Sequence, residues 1–283
     1  MLERIITVDG LPTRVLTAGD QGPALILLHG GICDTASLSW RALLPELGRV
    51  ARVYAPDLPG YGETPRPRDT QATVDYYARF VAQLTAALGI EHAIYAGVSM
   101  GGMIALALGF TQPGLIDRLA LIGTGGLTTR FPNQLLGYLI TRNLTVYERV
   151  LRLGVRRPSQ VRQTLRKMFH DPAAVTEALV EEIWTALQKP DTLRAFGDFG
   201  RDQLTPRGLR TCFMPRLSEL TKPVLLIQGE HDYFYPKRLV EEAHRRLPHA
   251  RLEIVAACGH WVNRERPELT TRLLQELVAD QGG

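Results

Sequence analysis

Gly97-Val98-Ser99-Met100-Gly101-Gly102 sits between the apolar run at residues 93–96 and the apolar stretch at 100–110. The short run reads as a buried strand and the longer one as a buried helix, so the serine falls on the turn between them. Glycines on both sides make sterically possible the strained turn that holds a serine out above a sheet. A helix starting at Met100 points its positive end at that serine and favours negative charge developing there. Ser99 is the candidate nucleophile.

The alternation of strand and helix continues in both directions. Upstream, strands are expected at residues 5–8, 13–17, 24–28 and 52–55, with helices at 40–47 and 74–88. Solid apolar runs such as Ala-Leu-Ile-Leu-Leu at 24–28 are what parallel strands covered on both faces look like. Another strand is expected at 119–122. From about Gly125 to Pro215 strands disappear, and helices are expected at 135–153, 159–169, 173–187 and 193–199, with Asp171-Pro172 as a helix start. After Lys222-Pro223 the alternation resumes, with strands at 224–228 and 252–255 and helices at 236–247 and 267–279. The fold class is α/β, built from right-handed βαβ units. Residues 1–124 and 216–283 form the core domain, and 125–215 a helical cap inserted over the sheet's carboxyl edge.

A serine needs a base, and the base needs a group that orients it. Of seven histidines, His260 stands in Cys258-Gly259-His260-Trp261, after the last strand and before the last helix. Ligands of α/β folds collect at that sheet edge, so His260 is the candidate base. His29 reads as a buried hydrogen-bonding residue, and His92, His170, His244 and His249 as solvated. His231 adjoins Asp232, and neighbouring side chains on a loop diverge. Asp232, directly after the strand at 224–228, is the candidate acid ahead of Glu230; Asp57 reads as a loop-former. The oxyanion needs two backbone donors. Met100 N–H supplies one, and the His29-Gly30-Gly31-Ile32 turn the other, with Gly31 first choice and Ile32 second. Gly30, Ile32 and Trp261 are further candidates for touching substrate.

Composition narrows the class without naming it. A content of 45% hydrophobic and 22% charged residues is ordinary for a globular protein, and a net charge of +4 is too weak to argue for nucleic acid. The charge is uneven, however. Arg142, Arg149, Arg152, Arg156, Arg157, Arg162, Arg166 and Lys167 face one acid, Glu148, across that stretch, which reads as a solvated helix face. Cys33, Cys212 and Cys258 form no paired framework, which fits a reducing compartment. With no signal-peptide pattern and no clear membrane span, the expectation is a soluble cytoplasmic protein. The composition assigns no oligomeric state.

The elbow, the His29-Gly30-Gly31 turn, Asp57-Leu58-Pro59-Gly60-Tyr61-Gly62, Gly229-Glu230-His231-Asp232 and Gly259-His260 together resemble the α/β-hydrolase superfamily. The resemblance implies an eight-stranded, mostly parallel sheet with a helical lid, and no metal or organic cofactor. Serine at the elbow argues against the branches that use aspartate there. Cys258-Gly259-His260-Trp261 and Gly30-Gly31 resemble the meta-cleavage product hydrolases, which break carbon–carbon bonds in dienoic acids. Two departures count against that subgroup: Val98 replaces the asparagine usual before the nucleophile, and Ile32-Cys33-Asp34 replaces a Gly-Pro-Gly. The expected reaction is that of a carboxylesterase acting on a small-molecule ester. Carbon–carbon, lactone and peracid chemistry are the alternatives, and a non-catalytic binding homologue a more distant one. Phe131, Leu135, Tyr138, Trp184, Phe196 and Phe199 are candidates for an apolar pocket in the cap, or for its core.

Overall fold

The computed structural model describes residues 1–67, 71–130 and 133–280; Phe131, expected near the pocket, lies outside them. The first half carries strands β1 (Leu2–Val8), β2 (Leu11–Ala18), β3 (Ala24–Leu28), β4 (Arg52–Pro56), β5 (Ala93–Val98) and β6 (Ile116–Ile122). Between them run helices α1 (Ala36–Trp40), α2 (Leu44–Leu47), α3 (Val74–Ala87) and α4 (Met100–Thr111). Five helices follow: α5 (Gln134–Thr141), α6 (Leu144–Gly154), α7 (Pro158–Met168), α8 (Glu177–Gln188) and α9 (Pro190–Gln203). A small hairpin of β7 (Leu204–Thr205) and β8 (Gly208–Leu209) comes next. The chain closes with β9 (Val224–Gly229), α10 (Lys237–Arg246), β10 (Ala250–Val255), α11 (Val262–Glu265) and α12 (Pro267–Ala279).

Eight strands form one sheet in the order β1-β2-β4-β3-β5-β6-β9-β10. Only the pairings of β2, with β1 and with β4, are antiparallel. Alternate residues of each central strand feed two separate cores. Ile26 and Leu28 of β3 join Tyr77 and Val81 of α3 and Ile104 of α4; Leu25 and Leu27 join Trp40, Leu44, Leu273 and Leu274 on the other face. Every residue of β3, β5 and β9 is buried, which accounts for their largely apolar sequence; the polar exception, Gln228 in β9, is hydrogen-bonded to Asp232 and Tyr235 O. Each fully buried Leu or Ile contributes about 1.5–3 kcal/mol by leaving water.

Several expected elements divide where polar residues cap the chain. The helix anticipated at 135–153 is two, because Asn143 takes an extended conformation and its side chain accepts Val146 N–H. The one at 40–47 is also split between α1 and α2, here without a polar cap, since Leu43 precedes α2 and Pro45 sits in its first turn. Asp171-Pro172 begins only a single 3₁₀ turn; α8 starts at Glu177, with the Thr176 side chain accepting Leu179 N–H. The β7–β8 hairpin lies in a region read as strand-free.

Candidate active site

The elbow occupies the end of β5 and the start of α4. Ser99 has φ +54° and ψ −111°, a left-handed conformation costly for a residue with a Cβ. Its backbone is held on three sides: Ser99 N–H donates to Ile122 O, and Ser99 O accepts from Met103 N–H and Gly125 N–H. The glycines answer to crowding. A Cβ on Gly97 would lie 2.3 Å from Gly101 carbonyl atoms, and one on Gly101 2.3 Å from Leu28 O. Strand and helix can meet this closely only without side chains at those positions.

His260 and Asp232 come from the loops after β10 and β9. His260 Nδ1 lies 2.8 Å from Asp232 Oδ2, and both residues are buried. A carboxylate only accepts, so Nδ1 carries the proton and Nε2 is left as the acceptor. Asp232 is itself fixed by three further donors: Gln228 Nε2 on Oδ2, and the N–H groups of Phe234 and Tyr235 on Oδ1. The rings of Phe234 and Tyr235 lie 4.9 and 5.7 Å from the imidazole. Gly123, at φ +48°, leaves room for the pair; its Cβ would sit 2.9 Å from His260 O.

The competing residues are placed elsewhere. Asp57 is fully buried and accepts from Arg14 Nη1, Ala36 N–H and Glu63 N–H, so it pins the loop after β4. A Cβ on Gly62 would strike its carboxylate at 2.1 Å. Glu230 pairs with Lys237, which lowers its pKa. His29 accepts Leu58 N–H at Nε2, which leaves Nδ1 to donate to Gly30 O. His231 stacks on His170 at 4.1 Å, and His92 meets Asp117.

In the turn after β3, Gly30 N–H is taken by Asp34 Oδ2 at 2.6 Å. The donors left in that turn are the N–H groups of Gly31 and Ile32. Met100 N–H, in the first turn of α4, has no acceptor within its own helix. Ile32 holds φ +62°, an outlier for a β-branched residue. Asp34 also accepts from Ser39 Oγ and Thr35 N–H, while burial pushes its carboxyl pKa up. Cys33 and Cys258 are both raised to about 12 by burial.

Ser99, Met100, His260, Gly30, Gly31, Ile32 and Trp261 all line one cavity of about 830 Å³ beneath the helical insertion. Trp184, Phe196 and Phe199 line it as well, and Leu135 and Tyr138 do not. Leu135 is exposed, and Tyr138 lies under the Arg142 guanidinium. Trp261 combines two roles, with its ring in the wall and its indole N–H bonded to Ser39. Sequence reasoning missed Gln228, Asp34, Ser39 and Glu265. Glu265 is buried and accepts from His170, Asp171 and Gly259 N–H groups, tying the end of α7 to the His260 loop. Among the described residues no cluster of three potential metal ligands occurs, and no helix is long and apolar enough to cross a membrane.

With this fold and elbow in place, the chain belongs to the alpha/beta hydrolase fold family, whose match spans residues 23–267. It is 29% identical over 282 residues to 2-hydroxymuconate semialdehyde hydrolase of Pseudomonas sp. (strain CF600), covering 98% of this chain and 94% of that protein. The solved meta-cleavage product hydrolase of Pseudomonas fluorescens IP01 superposes with a TM-score of 0.83 at 25% identity, covering 99% of this chain and 98% of that one. A membrane phospholipase A described as a bacterial virulence factor superposes with a TM-score of 0.79 at 26% identity, covering 99% and 87%.

Proposed function

We propose that this chain is a serine hydrolase that cleaves small to medium carboxylic esters with an apolar acyl group. The observation that carries this reading is the chemistry of the cavity wall. Among the described residues the only lysine or arginine side chains in that wall are Arg152 and Arg156, and both are exposed. A dienoic acid would bring a carboxylate into an apolar interior, where an uncompensated charge costs several kcal/mol or more. An uncharged ester meets no such penalty.

In this reading Ser99 Oγ attacks the ester carbonyl while its proton passes to His260 Nε2. The carbonyl oxygen becomes an oxyanion that accepts from Met100 N–H and from Gly31 or Ile32 N–H. The C–O bond to the alcohol then breaks, and His260 returns the proton to the leaving oxygen. A water molecule, deprotonated by His260, attacks the acyl-enzyme and restores Ser99 with release of the acid. Asp232 holds the tautomer that makes Nε2 the base and stabilises the imidazolium.

The second reading is carbon–carbon hydrolysis of a dienoate, and the similarity to 2-hydroxymuconate semialdehyde hydrolase favours it. Steady-state rates on p-nitrophenyl esters of graded chain length, beside 2-hydroxy-6-oxohexa-2,4-dienoate, separate the two. Ester turnover should dominate, and Ser99→Ala should reduce it by about 10³-fold or more. A higher kcat/KM on the dienoate would overturn the ester reading, and full activity in Ser99→Ala would overturn the nucleophile.

A further inference from the structure

The outer face of α5 and α6 exposes apolar side chains, among them Leu135, which was expected in the pocket or the cap core. Leu135, Leu136 and Leu139 of α5, with Val146, Val150 and Leu153 of α6, are each between 42% and 60% exposed. On α6 the three fall at i, i+4 and i+7, one stripe along the helix, while Tyr147 on another side is buried. Six large apolar side chains on two adjoining helices form a patch that water does not favour.

A basic stripe runs beside the apolar one. Arg149 and Arg152 flank it on α6, and Arg156 follows just past the helix end; all three are exposed. None forms an ion pair among the described residues, whereas the neighbouring acid Glu148 is held by Arg194. Val150, Arg152 and Arg156 are at once exposed and part of the cavity wall, so the cavity containing Ser99 opens beside this face.

We propose that this face docks on an anionic lipid surface, with the leucines and valines entering the headgroup boundary and the arginines pairing with lipid phosphates. Charge decides between the possible occupants. A two-fold dimer through the same patch would gather two copies of the Arg149, Arg152 and Arg156 stripe into one interface, with no ion-pairing acid for them among the described residues. An anionic bilayer meets both stripes: apolar side chains bury in it, and each nearby arginine adds attraction. The attachment is peripheral and needs no spanning helix. It also does not depend on which bond Ser99 cleaves, because binding is measured without turnover.

The test is co-sedimentation of the full chain with phosphatidylcholine vesicles, with and without about one-third phosphatidylglycerol. Binding should require the anionic lipid and weaken as salt rises. Leu135→Ser/Leu136→Ser/Leu139→Ser should lower partitioning at least tenfold. Arg149→Ser/Arg152→Ser/Arg156→Ser should lower it by about 10²-fold, at roughly 1 kcal/mol per arginine. Unchanged melting temperatures would show that both variants remain folded. Reversal of single leucine changes supplies a milder series if the triple variant unfolds. Absence of binding, or equal binding to neutral vesicles, would overturn the proposal. So would sedimentation equilibrium showing a dimer that the leucine substitutions dissociate, which would assign the face to a second copy.

Discussion

The indole N–H of Trp261 donates to the Ser39 hydroxyl at 3.2 Å, joining the His260 loop to α1, 222 residues apart in the chain. Ser39 in turn donates to Asp34 Oδ2 at 2.6 Å, and the same oxygen accepts Gly30 N–H. The loop carrying His260 is thereby connected to the turn proposed to hold the oxyanion. Asn263 strengthens the junction by donating to Ser39 O. Ser39→Ala should leave the indole N–H unpaired and remove one donor from Asp34, costing about 1–3 kcal/mol. A melting-temperature loss of several degrees is the expected reading. Trp261→Phe should cost less in the Ser39→Ala background than in the wild type. Additivity of the two changes within about 0.5 kcal/mol would show that the bond carries no coupling.

Asp232→Asn tests the tautomer. Oδ2 receives His260 Nδ1 and Gln228 Nε2, and Oδ1 receives two backbone N–H groups, so an amide NH₂ at either position faces donors. With the NH₂ in the Oδ2 position the imidazole relaxes by moving its proton to Nε2, which removes the base. Ester turnover should fall by about 10⁴-fold, as measured by kcat, while the fluorophosphonate labelling rate of Ser99 falls in parallel. Labelling at the wild-type rate would show that Asp232 does not set the base.

Glu265 is a candidate positioning residue for His260, the proposed base. Its two oxygens collect His170 and Asp171 N–H from the end of α7 and Gly259 N–H from the His260 loop. His260 N–H also donates to Met168 O at 2.6 Å, so the loop is fastened to the insertion twice. Glu265→Gln turns an NH₂ toward backbone donors on one side, and kcat should drop by about tenfold with KM little changed. Glu265→Ala should add a stability loss of about 3 kcal/mol from the unpaired buried N–H groups. A change confined to melting temperature, with kcat intact, would reduce Glu265 to a structural role.

Which parts of this site were legible follows from how locally each is encoded. Gly97 and Gly101 announce the elbow because a close approach of backbones leaves no other residue type possible. Asp232 and His260 stand out as candidates because each lies on a loop that follows a strand of the parallel sheet, β9 and β10. Ser39, Asp34, Gln228 and Glu265 carry no such mark, since the partners that give them meaning come from distant parts of the chain or are backbone groups. The insertion shows a different failure. Spacing reveals that Leu135, Leu136 and Leu139 share a helix, but not that this face lacks a packing partner. Asn143 divided an expected single helix because a cap bond to Val146 N–H competes with continuation.

The cysteines give a pH-dependent readout. Cys33 lines the cavity and Cys258 lies beside the base, yet burial raises each thiol to about 12. The thiolate is the reactive form, and a raised pKa means it appears only as pH climbs toward that value. At pH 8 roughly one molecule in 10⁴ would carry either thiolate. Mass spectrometry after iodoacetamide treatment at pH 8 should find these two unmodified, with half-buried Cys212 the site that labels. Turnover should survive the treatment. Rapid labelling of Cys33 with loss of activity would contradict the burial described for the turn after β3.

Gly31→Ala separates cavity shape from oxyanion binding. Its backbone needs no glycine conformation, so alanine is tolerated by the chain itself. The new Cβ, however, would lie 2.7 Å from Phe196 Cε2 and 3.0 Å from Cδ2, which forces the ring to turn within the cavity. Because the obstruction is a movable side chain, the fold should persist with little change in melting temperature. The acyl pocket should narrow: KM for a long-chain p-nitrophenyl ester should rise about tenfold while the acetate is barely affected. Adding Phe196→Leu should return much of the loss by vacating that space. If acetate and long-chain esters instead lost kcat equally and Phe196→Leu gave no recovery, the substitution would be acting on the N–H donor of this turn.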